Sequence, residues 1–395
     1  MKLKLDILEE SAVRVFSECL EGARESIFVE LGDMDFCPNR IVPIAALADI
    51  YRRQGVSVEF QCAPGTAADR ALAGLHFARM NPGAEMGRPF GRVWRFDNGD
   101  DQGKIVNSCE LEIGKTARLA KGVRLCFSWC LNEIMDNVLT HSARGGRAVG
   151  YVMVQYVQEA NLLKACVFDA GIGLKESFAG SKYAPRSGAE AISLAVMRNV
   201  TSGNGQGNGL YGLKRLVGQS PDGRLHIRSA GAEYLYDPSR GIEDARGSWT
   251  IAGYPGTTAV DFQIRCDGEL SFSEVFPDAL EQVDLWAENR ELGDGRIRVK
   301  ILDVVDSCGS RASGREVRTL VENLSETENR KIVLDFCNME NCSSGFVDEL
   351  LGRLLEKYGF VAFSQRISLV NVQGIVALLI NHSIAQRMSA ISNGA

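Results

Sequence analysis

The sequence predicts an α/β protein made of several domains, and three observations support this prediction. The chain has 395 residues, a length that usually gives two or three domains rather than one core. Hydrophobic residues make up 45% and charged residues 24%, as in ordinary globular proteins. Segments with the pattern of strands alternate with segments that have helical spacing. We expect a small α/β domain at residues 1–85, a packed linker at 86–104, a central α/β domain at 105–268 and another small α/β domain at 285–395.

The overall charge, the apolar runs and the cysteine spacing exclude some classes of function. The net charge is −6 and the isoelectric point is about 5.5, which disfavours a nucleic-acid binder with a broad basic surface. No apolar run reaches the length of a membrane span, and the N-terminus lacks the apolar core of a signal peptide. The eleven cysteines include no pair with CxxC spacing, so zinc and thioredoxin motifs are absent. We therefore expect a cytoplasmic protein without a membrane or nucleic-acid partner.

The N-terminal domain is predicted from alternating strands and helices. The residue pattern predicts strands at residues 26–31 and 56–61, and helices at 41–54 and 67–80. The segment that follows is rich in Gly, Pro, Arg and Asp, but it also contains four large apolar residues. We therefore interpret it as a linker that packs against a domain.

The central domain combines one long helix with several strands. Apolar residues at helical spacing predict a helix over residues 117–141. The strands are predicted at residues 148–157, 162–168, 225–229, 249–252 and 257–266. The last strand alternates apolar and polar side chains, which indicates a sheet with one covered face. Residues 174–204 contain Gly, Ser and one predicted helix, at 188–198, and are a candidate mobile lid.

The C-terminal domain repeats the order of elements of the N-terminal domain. Strands are predicted at residues 297–304, 331–336 and 367–370, and helices at 345–358 and 373–387. Each end of the chain therefore has strand, polar turn, helix and strand in similar order. The two ends could be two copies of one small fold.

The predicted long helix carries a row of polar residues. Glu133, Asn137 and His141 are spaced four apart, so they lie on one side of the helix, at the edge of the apolar stripe. A neutral amide oxygen suits Mg²⁺, and a carboxylate can act as a general base. By itself the row is also typical of a solvated helix edge.

Two glycine-containing motifs follow the helix. Asp169 ends a strand and precedes Gly171 and Gly173; the carboxylate can accept a hydrogen bond from an amine, and the glycines allow backbone to approach a flat ring. The alternative is a turn capped by the Asp. The second motif precedes a predicted helix and consists of Gly205, Gln206, Gly207, Asn208, Gly209 and Leu210. Free N–H groups at a helix start can hold phosphate, although such a segment can also be a flexible linker.

In order and spacing these motifs resemble the N, G1 and G2 boxes of the GHKL superfamily of ATPases, which includes gyrase, heat-shock chaperones and histidine kinases. The residues 256–258 resemble the G3 box. The resemblance covers roughly residues 105–268 and implies a Bergerat-type α/β sandwich that binds ATP and Mg²⁺. It implies that Glu133 is the general base, that Asn137 is a ligand of Mg²⁺, and that Asp169 binds the adenine amine. The residues 205–210 would hold the phosphates, and Thr257 would assist at adenine. His141 and Ser142 resemble the end of a histidine-kinase N box.

Residues 331–351 resemble the STAS domain of anti-anti-sigma factors, and more closely a STAS-like bacterial family. The matching features are Asp335 at a strand end and the sequence 342–345, Cys-Ser-Ser-Gly, which opens a helix. In anti-anti-sigma factors a serine at this helix start is phosphorylated by a GHKL kinase, so Ser343 is a candidate phosphoacceptor. However, Cys342 stands where that pattern has Asp, and Ser343 could simply cap the helix. The N-terminal domain resembles the same fold loosely, with Asp33 and Asp35 at the corresponding turn.

Three functions stay open at the level of sequence. The first is an ATP hydrolase or an ATP-driven conformational switch that signals through STAS-like domains. The second is a protein serine kinase of the anti-sigma type that acts on a STAS partner or on Ser343. Related kinases carry an Arg just before the G2 glycines, where this chain has Gly205, and Arg186 or Arg198 could substitute. The third is a nucleotide-sensing module without turnover. All three imply a protein partner, and a homodimer is one option.

Overall fold

The computed structural model describes residues 2–5, 11–23, 25–31, 37–62, 64–73, 89–143, 148–201, 209–247, 249–277, 290–327 and 329–393. The chain forms two compact units. The first contains Met1–Cys109 and Cys126–Leu280, and the second contains Glu110–Leu125 and Glu281–Ala395. Helices and strands occur in both, which confirms the predicted α/β class.

A three-stranded parallel sheet begins the first unit. Its strands, in spatial order, are β1 (Lys2–Leu5), β2 (Ser26–Leu31) and β3 (Ser57–Gln61). The helices are α1 (Ala12–Glu21), α2 (Pro38–Arg53) and α3 (Ala67–Ala73). Strands β2 and β3 and helix α2 confirm the predictions, whereas β1 and α1 were not predicted. The turn with Asp33 and Asp35 lies outside the described residues, as does the predicted helix beyond residue 73.

A seven-stranded antiparallel sheet forms the centre of the first unit. Its spatial order is β4-β5-β6-β10-β7-β8-β9. The strands are β4 (Trp94–Phe96), β5 (Gly150–Val157), β6 (Leu162–Asp169), β7 (Arg224–Ser229), β8 (Ala232–Asp237), β9 (Ile242–Arg246) and β10 (Thr258–Arg265). The strand predicted at residues 249–252 is wrong. Ile251 is buried in the core that the sheet shares with the N-terminal elements, and the Ala252 N–H donates to the Ser17 hydroxyl of α1 instead of to a strand.

Both faces of this sheet are covered, whereas the sequence indicated one. On one face, Tyr151, Phe168 and Ala259 share a hydrophobic core with residues of α2. On the other face, the Phe262 ring lies 5.4 Å from the ring of Phe127, between ring centres. Ala259 has a small side chain, so a helix can pack closely against its face of the sheet.

Two consecutive helices, α4 (Gly99–Thr116) and α5 (Val123–His141), replace the one long helix predicted from residue 117. A turn separates them, and Gly122 adopts a positive φ of 77° there. Helix α4 begins inside the predicted linker. The Gly and Asp residues there interrupt the helical spacing of its apolar residues, so the sequence did not predict this helix. Ile105, Cys109 and Ile113 are buried at a spacing of four, which identifies its inward face. The other helices of the unit are α6 (Gly173–Ser177), α7 (Gly188–Ala195), α8 (Gly209–Gln219) and α9 (Phe272–Val275).

The second unit contains another three-stranded parallel sheet. Its strands are β11 (Ile297–Lys300), β12 (Ile332–Asp335) and β13 (Ile367–Val370), again in sequential order. The helices are α10 (Arg311–Glu322), α11 (Ser344–Val347), α12 (Arg353–Arg366) and α13 (Gly374–Asn393). The N-terminal sheet has the same order of strands and a helix after each strand. No helix among the described residues has the length and apolar content needed to cross a membrane.

Candidate functional site

A pocket opens between α5, the ends of strands β6 and β10, and helices α6 to α8. Its cavity volume is about 110 Å³. Its walls include residues from four separate sequence motifs: Asn137, His141, Asp169, Gly173, Gly209, Leu210 and Thr258. The fold thus brings together side chains that are far apart in the sequence.

Helix α5 presents two neighbouring rows of residues at this pocket. The polar row is Glu133, Asn137 and His141, of which the latter two line the pocket. The inner row is Ile134, Val138 and Ser142, and all three line it. Within the described part of the chain, no hydrogen bond involves the side chains of the polar row. These groups are therefore available to a ligand.

The start of α8 lies directly beside the polar row. A Cβ atom on Gly209 would lie 3.2 Å from Glu133 Oε2 and 3.3 Å from Asn137 Nδ2. Only a residue without a side chain leaves these groups undisturbed. Burial, and secondarily the charge of Asp136, raise the pKa of Glu133, which moves it toward the range of a general base. Burial lowers the pKa of His141.

Asp169 lies at the other end of the pocket, at the end of β6. It is 5% exposed, and its Oδ1 accepts a hydrogen bond of 2.8 Å from the Gly171 N–H. Burial raises the pKa of Asp169 to about 7. None of the described residues forms an ion pair with Asp169, and a buried carboxyl group with a raised pKa is typical of functional sites.

The glycines after Asp169 are required by close backbone contacts. A Cβ on Gly171 would lie 2.2 Å from the Ser142 carbonyl oxygen. Gly173 has a φ of 76°, and a Cβ there would lie 2.7 Å from the Gly256 carbonyl oxygen. The glycines thus pack the turn after β6 against the end of α5 and the turn before β10.

Of the two threonines at the start of β10, Thr258 is the one that lines the pocket. Thr257 is 1% exposed, and its N–H donates to the Tyr254 carbonyl oxygen. The Thr258 hydroxyl lies 3.0 Å from the Ser229 hydroxyl, and Thr258 is the cross-strand partner of Asp169. The structure therefore places Thr258, rather than Thr257, beside Asp169. The sequence motif could not distinguish the two residues.

Several predicted residues cannot be placed. Gly205, Gln206, Gly207 and Asn208 lie outside the described residues, whereas Gly209 and Leu210 line the pocket. The candidate lid is described up to residue 201. There, Ala191 and Ile192 of α7 are buried, and a Cβ on Gly188 would lie 2.5 Å from the Ala230 carbonyl oxygen. This part of the lid is thus packed against the β7–β8 turn.

Ser343 lies in the second unit and caps a helix. Its hydroxyl accepts a hydrogen bond of 3.0 Å from the Phe346 N–H, at the start of α11. Ser344, the next residue, is exposed. The side chain of Arg311 lies close to this turn, with Cγ 3.1 Å from the position that a Cβ on Gly345 would occupy.

We expect Ser343→Ala to lower the free energy of unfolding of the second unit by about 1 kcal/mol, because the helix start loses its side-chain acceptor. Chemical denaturation followed by circular dichroism measures this change. The matched control is Ser344→Ala, which removes an exposed hydroxyl one residue away and should change stability little. Equal effects of the two substitutions would contradict the capping role.

Comparison with known families identifies part of the second unit. Residues 313–377 match the model of a STAS-like domain of unknown function, DUF4325. No curated protein matches the chain significantly. The resemblance of residues 105–268 to the GHKL superfamily therefore stays a prediction. A STAS-like domain indicates a regulatory signalling role, in which protein interactions are common. Residues 313–377 of this chain, which include Ser343 and Ser344, are thus similar to a STAS-like domain.

Proposed function

We propose that the first unit binds ATP together with Mg²⁺ in the pocket between α5, β6 and α8, and that ATP hydrolysis or binding switches the signalling state of the protein. The pocket itself carries this proposal. It combines a buried carboxyl group, polar side chains without a hydrogen bond to any other described residue, and a glycine at a helix start, all from separate motifs. Unpaired polar groups cost free energy in a free protein, so their convergence favours a polar ligand.

Each group has a suitable role in this proposal. Ionised Asp169 accepts a hydrogen bond from the adenine amine, and Thr258 supplies a hydroxyl beside it. The Asn137 amide oxygen is a suitable ligand for Mg²⁺, which usually keeps several waters and also binds substrate phosphates. Mg²⁺ would neutralise charge on the phosphates. N–H groups at the start of α8, with the residues 205–208 before it, would hold the phosphate oxygens.

Glu133 is proposed to accept a proton from the water that attacks the terminal phosphate. Its raised pKa and its position between Asn137 and Gly209 support this role. We expect Glu133→Ala to lower the hydrolysis rate by at least about 100-fold, as is typical for loss of a general base. The affinity for ATP should change little. Phosphate release and equilibrium binding of a fluorescent ATP analogue measure the two quantities.

The control is Thr140→Ala, which shortens an exposed polar side chain of the same helix outside the pocket. This substitution should leave the hydrolysis rate unchanged. Unchanged turnover in Glu133→Ala would overturn the role of Glu133. If the wild-type protein binds ATP without turnover, the proposal reduces to a nucleotide-sensing module.

A protein serine kinase is the second candidate, and the exposed Ser344 at a helix start of the STAS-like domain favours it. The Ser343 hydroxyl already accepts a backbone N–H, so Ser344 is the more accessible acceptor. Against this candidate, Gly205 stands where related kinases have Arg. Mass spectrometry after incubation with ATP separates the two functions: phosphate on Ser344 supports the kinase, and phosphate release without protein modification supports the hydrolase.

A further inference from the structure

Ser142 directly follows α5, continues the inner row and lines the pocket. The preceding members of this row, Ile134 and Val138, are apolar and line the same pocket. Ser142 is 7% exposed. The third position of this otherwise apolar row therefore places a hydroxyl group in the wall of the pocket.

The Ser142 side chain is close to Asp169. The position that a Cβ on Gly171 would occupy serves as a common reference point. It lies 2.5 Å from Ser142 Cβ and 2.7 Å from Asp169 Oδ1. Because Gly171 has no side chain, nothing from that residue separates the hydroxyl from the carboxyl group. Ser142 and Asp169 thus form one polar corner of the pocket.

Within the described residues, the Ser142 hydroxyl has no hydrogen-bond partner. The Ser142 N–H is already bonded to the Val138 carbonyl oxygen at 3.1 Å, so only the hydroxyl is available. A serine in a helix often bonds back to the carbonyl of the preceding turn, but no such bond occurs here in the described structure. The hydroxyl can therefore donate a hydrogen bond to a ligand in the pocket.

We propose that Ser142, together with Asp169, recognises the nucleotide base through a hydrogen bond. This inference rests on the proposed binding of ATP. An ionised carboxylate can only accept a hydrogen bond, whereas a hydroxyl can also donate one. The corner therefore offers an acceptor beside a donor. This pair complements the edge of adenine on which the exocyclic amine donates and the adjacent ring nitrogen N1 accepts. Ser142 donates to N1, and it is thereby a specificity-determining residue.

The test compares ATP with 1-deaza-ATP, in which N1 is replaced by a C–H group. Wild-type protein should bind ATP about tenfold more tightly than 1-deaza-ATP, because the analogue leaves the hydroxyl unpaired. In Ser142→Ala, ATP affinity should fall about tenfold, and the two nucleotides should bind equally. Equilibrium competition against a fluorescent ATP analogue measures the affinities of both proteins for both nucleotides. Comparing these four affinities in a double-mutant-type cycle isolates the contact between Ser142 and N1.

Two matched controls accompany the test. Ser128→Ala removes a buried hydroxyl of α5 that lies outside the pocket and has no partner among the described residues. It should keep the wild-type preference. The analogue 7-deaza-ATP lacks a different ring nitrogen, so the ratio of its affinity to that of ATP should be the same in wild type and in Ser142→Ala.

The outcomes separate this inference from the proposed function. ATP binding with equal affinity for 1-deaza-ATP in wild type, or with an unchanged preference in Ser142→Ala, overturns the role of Ser142 alone. Wild-type protein that binds no ATP overturns the proposed function and this inference together.

Discussion

Asp169→Asn should abolish ATP binding and, at the same time, make the ligand-free protein more stable above pH 7. The Asn side chain can keep the hydrogen bond from the Gly171 N–H through its oxygen. Its amide NH₂ would then face the adenine amine, so a donor would meet a donor. A site that is built for one hydrogen-bond pattern rejects the wrong partner strongly. We expect a loss of affinity of at least about 100-fold, measured by equilibrium binding.

The change in stability has the opposite sign because burial opposes ionisation of Asp169. Its pKa rises from an ordinary 3.8 to about 7, so the folded state holds a proton that the unfolded state has already released. Wild-type stability therefore falls as the pH rises from about 4 to about 7. Asp169→Asn lacks this titration and should be more stable than wild type at pH 8 by on the order of 4 kcal/mol. Denaturation at pH 5 and pH 8 measures the difference.

Asp261 provides the control for this prediction. It lies on β10 and does not line the pocket, and burial raises its pKa to about 6. Asp261→Asn should also increase stability at pH 8, but it should leave ATP affinity unchanged. If Asp169→Asn bound ATP as tightly as wild type, Asp169 would have no role in recognition of the base.

Asn323→Ala should produce a large loss of stability in the second unit. The Asn323 amide NH₂ donates to the carbonyl oxygens of Gly114 at 2.7 Å and Ala117 at 2.9 Å. Its oxygen accepts the Leu119 N–H at 3.3 Å. These bonds hold the turn between α4 and α5 inside the second unit, and Asn323 is 4% exposed. Truncation leaves several buried backbone groups without this partner, so we expect a loss of about 3 kcal/mol.

Hydrogen exchange and denaturation test this expectation together. Amide protons of residues 110–125 should exchange faster in Asn323→Ala than in wild type. Gln365→Ala removes an exposed amide from α12 of the same unit and should change neither quantity. A loss of stability without faster exchange at residues 110–125 would show that Asn323 does not fix this turn.

Local patterns predicted the elements whose side chains repeat clearly. The strands β5, β6 and β10 and the second half of the long helix were predicted because apolar side chains recur at spacings of two or four. Helix α4 was missed because Gly and Asp interrupt its pattern, although Ile105, Cys109 and Ile113 bury one face. The hairpin of β8 and β9 was missed because its charged residues resemble a loop.

The sequence by itself determined the chemistry that the first unit can offer: a carboxyl group, an amide and glycines in the order of a nucleotide site. It also determined the STAS-like domain, because that pattern is continuous along the chain. Only the tertiary structure decided that Thr258 lies beside Asp169, that Ser142 completes the same corner, and that residues 110–125 belong to the second unit. A shift of one residue moves a strand side chain to the other face, and packing against distant strands and helices fixes that register.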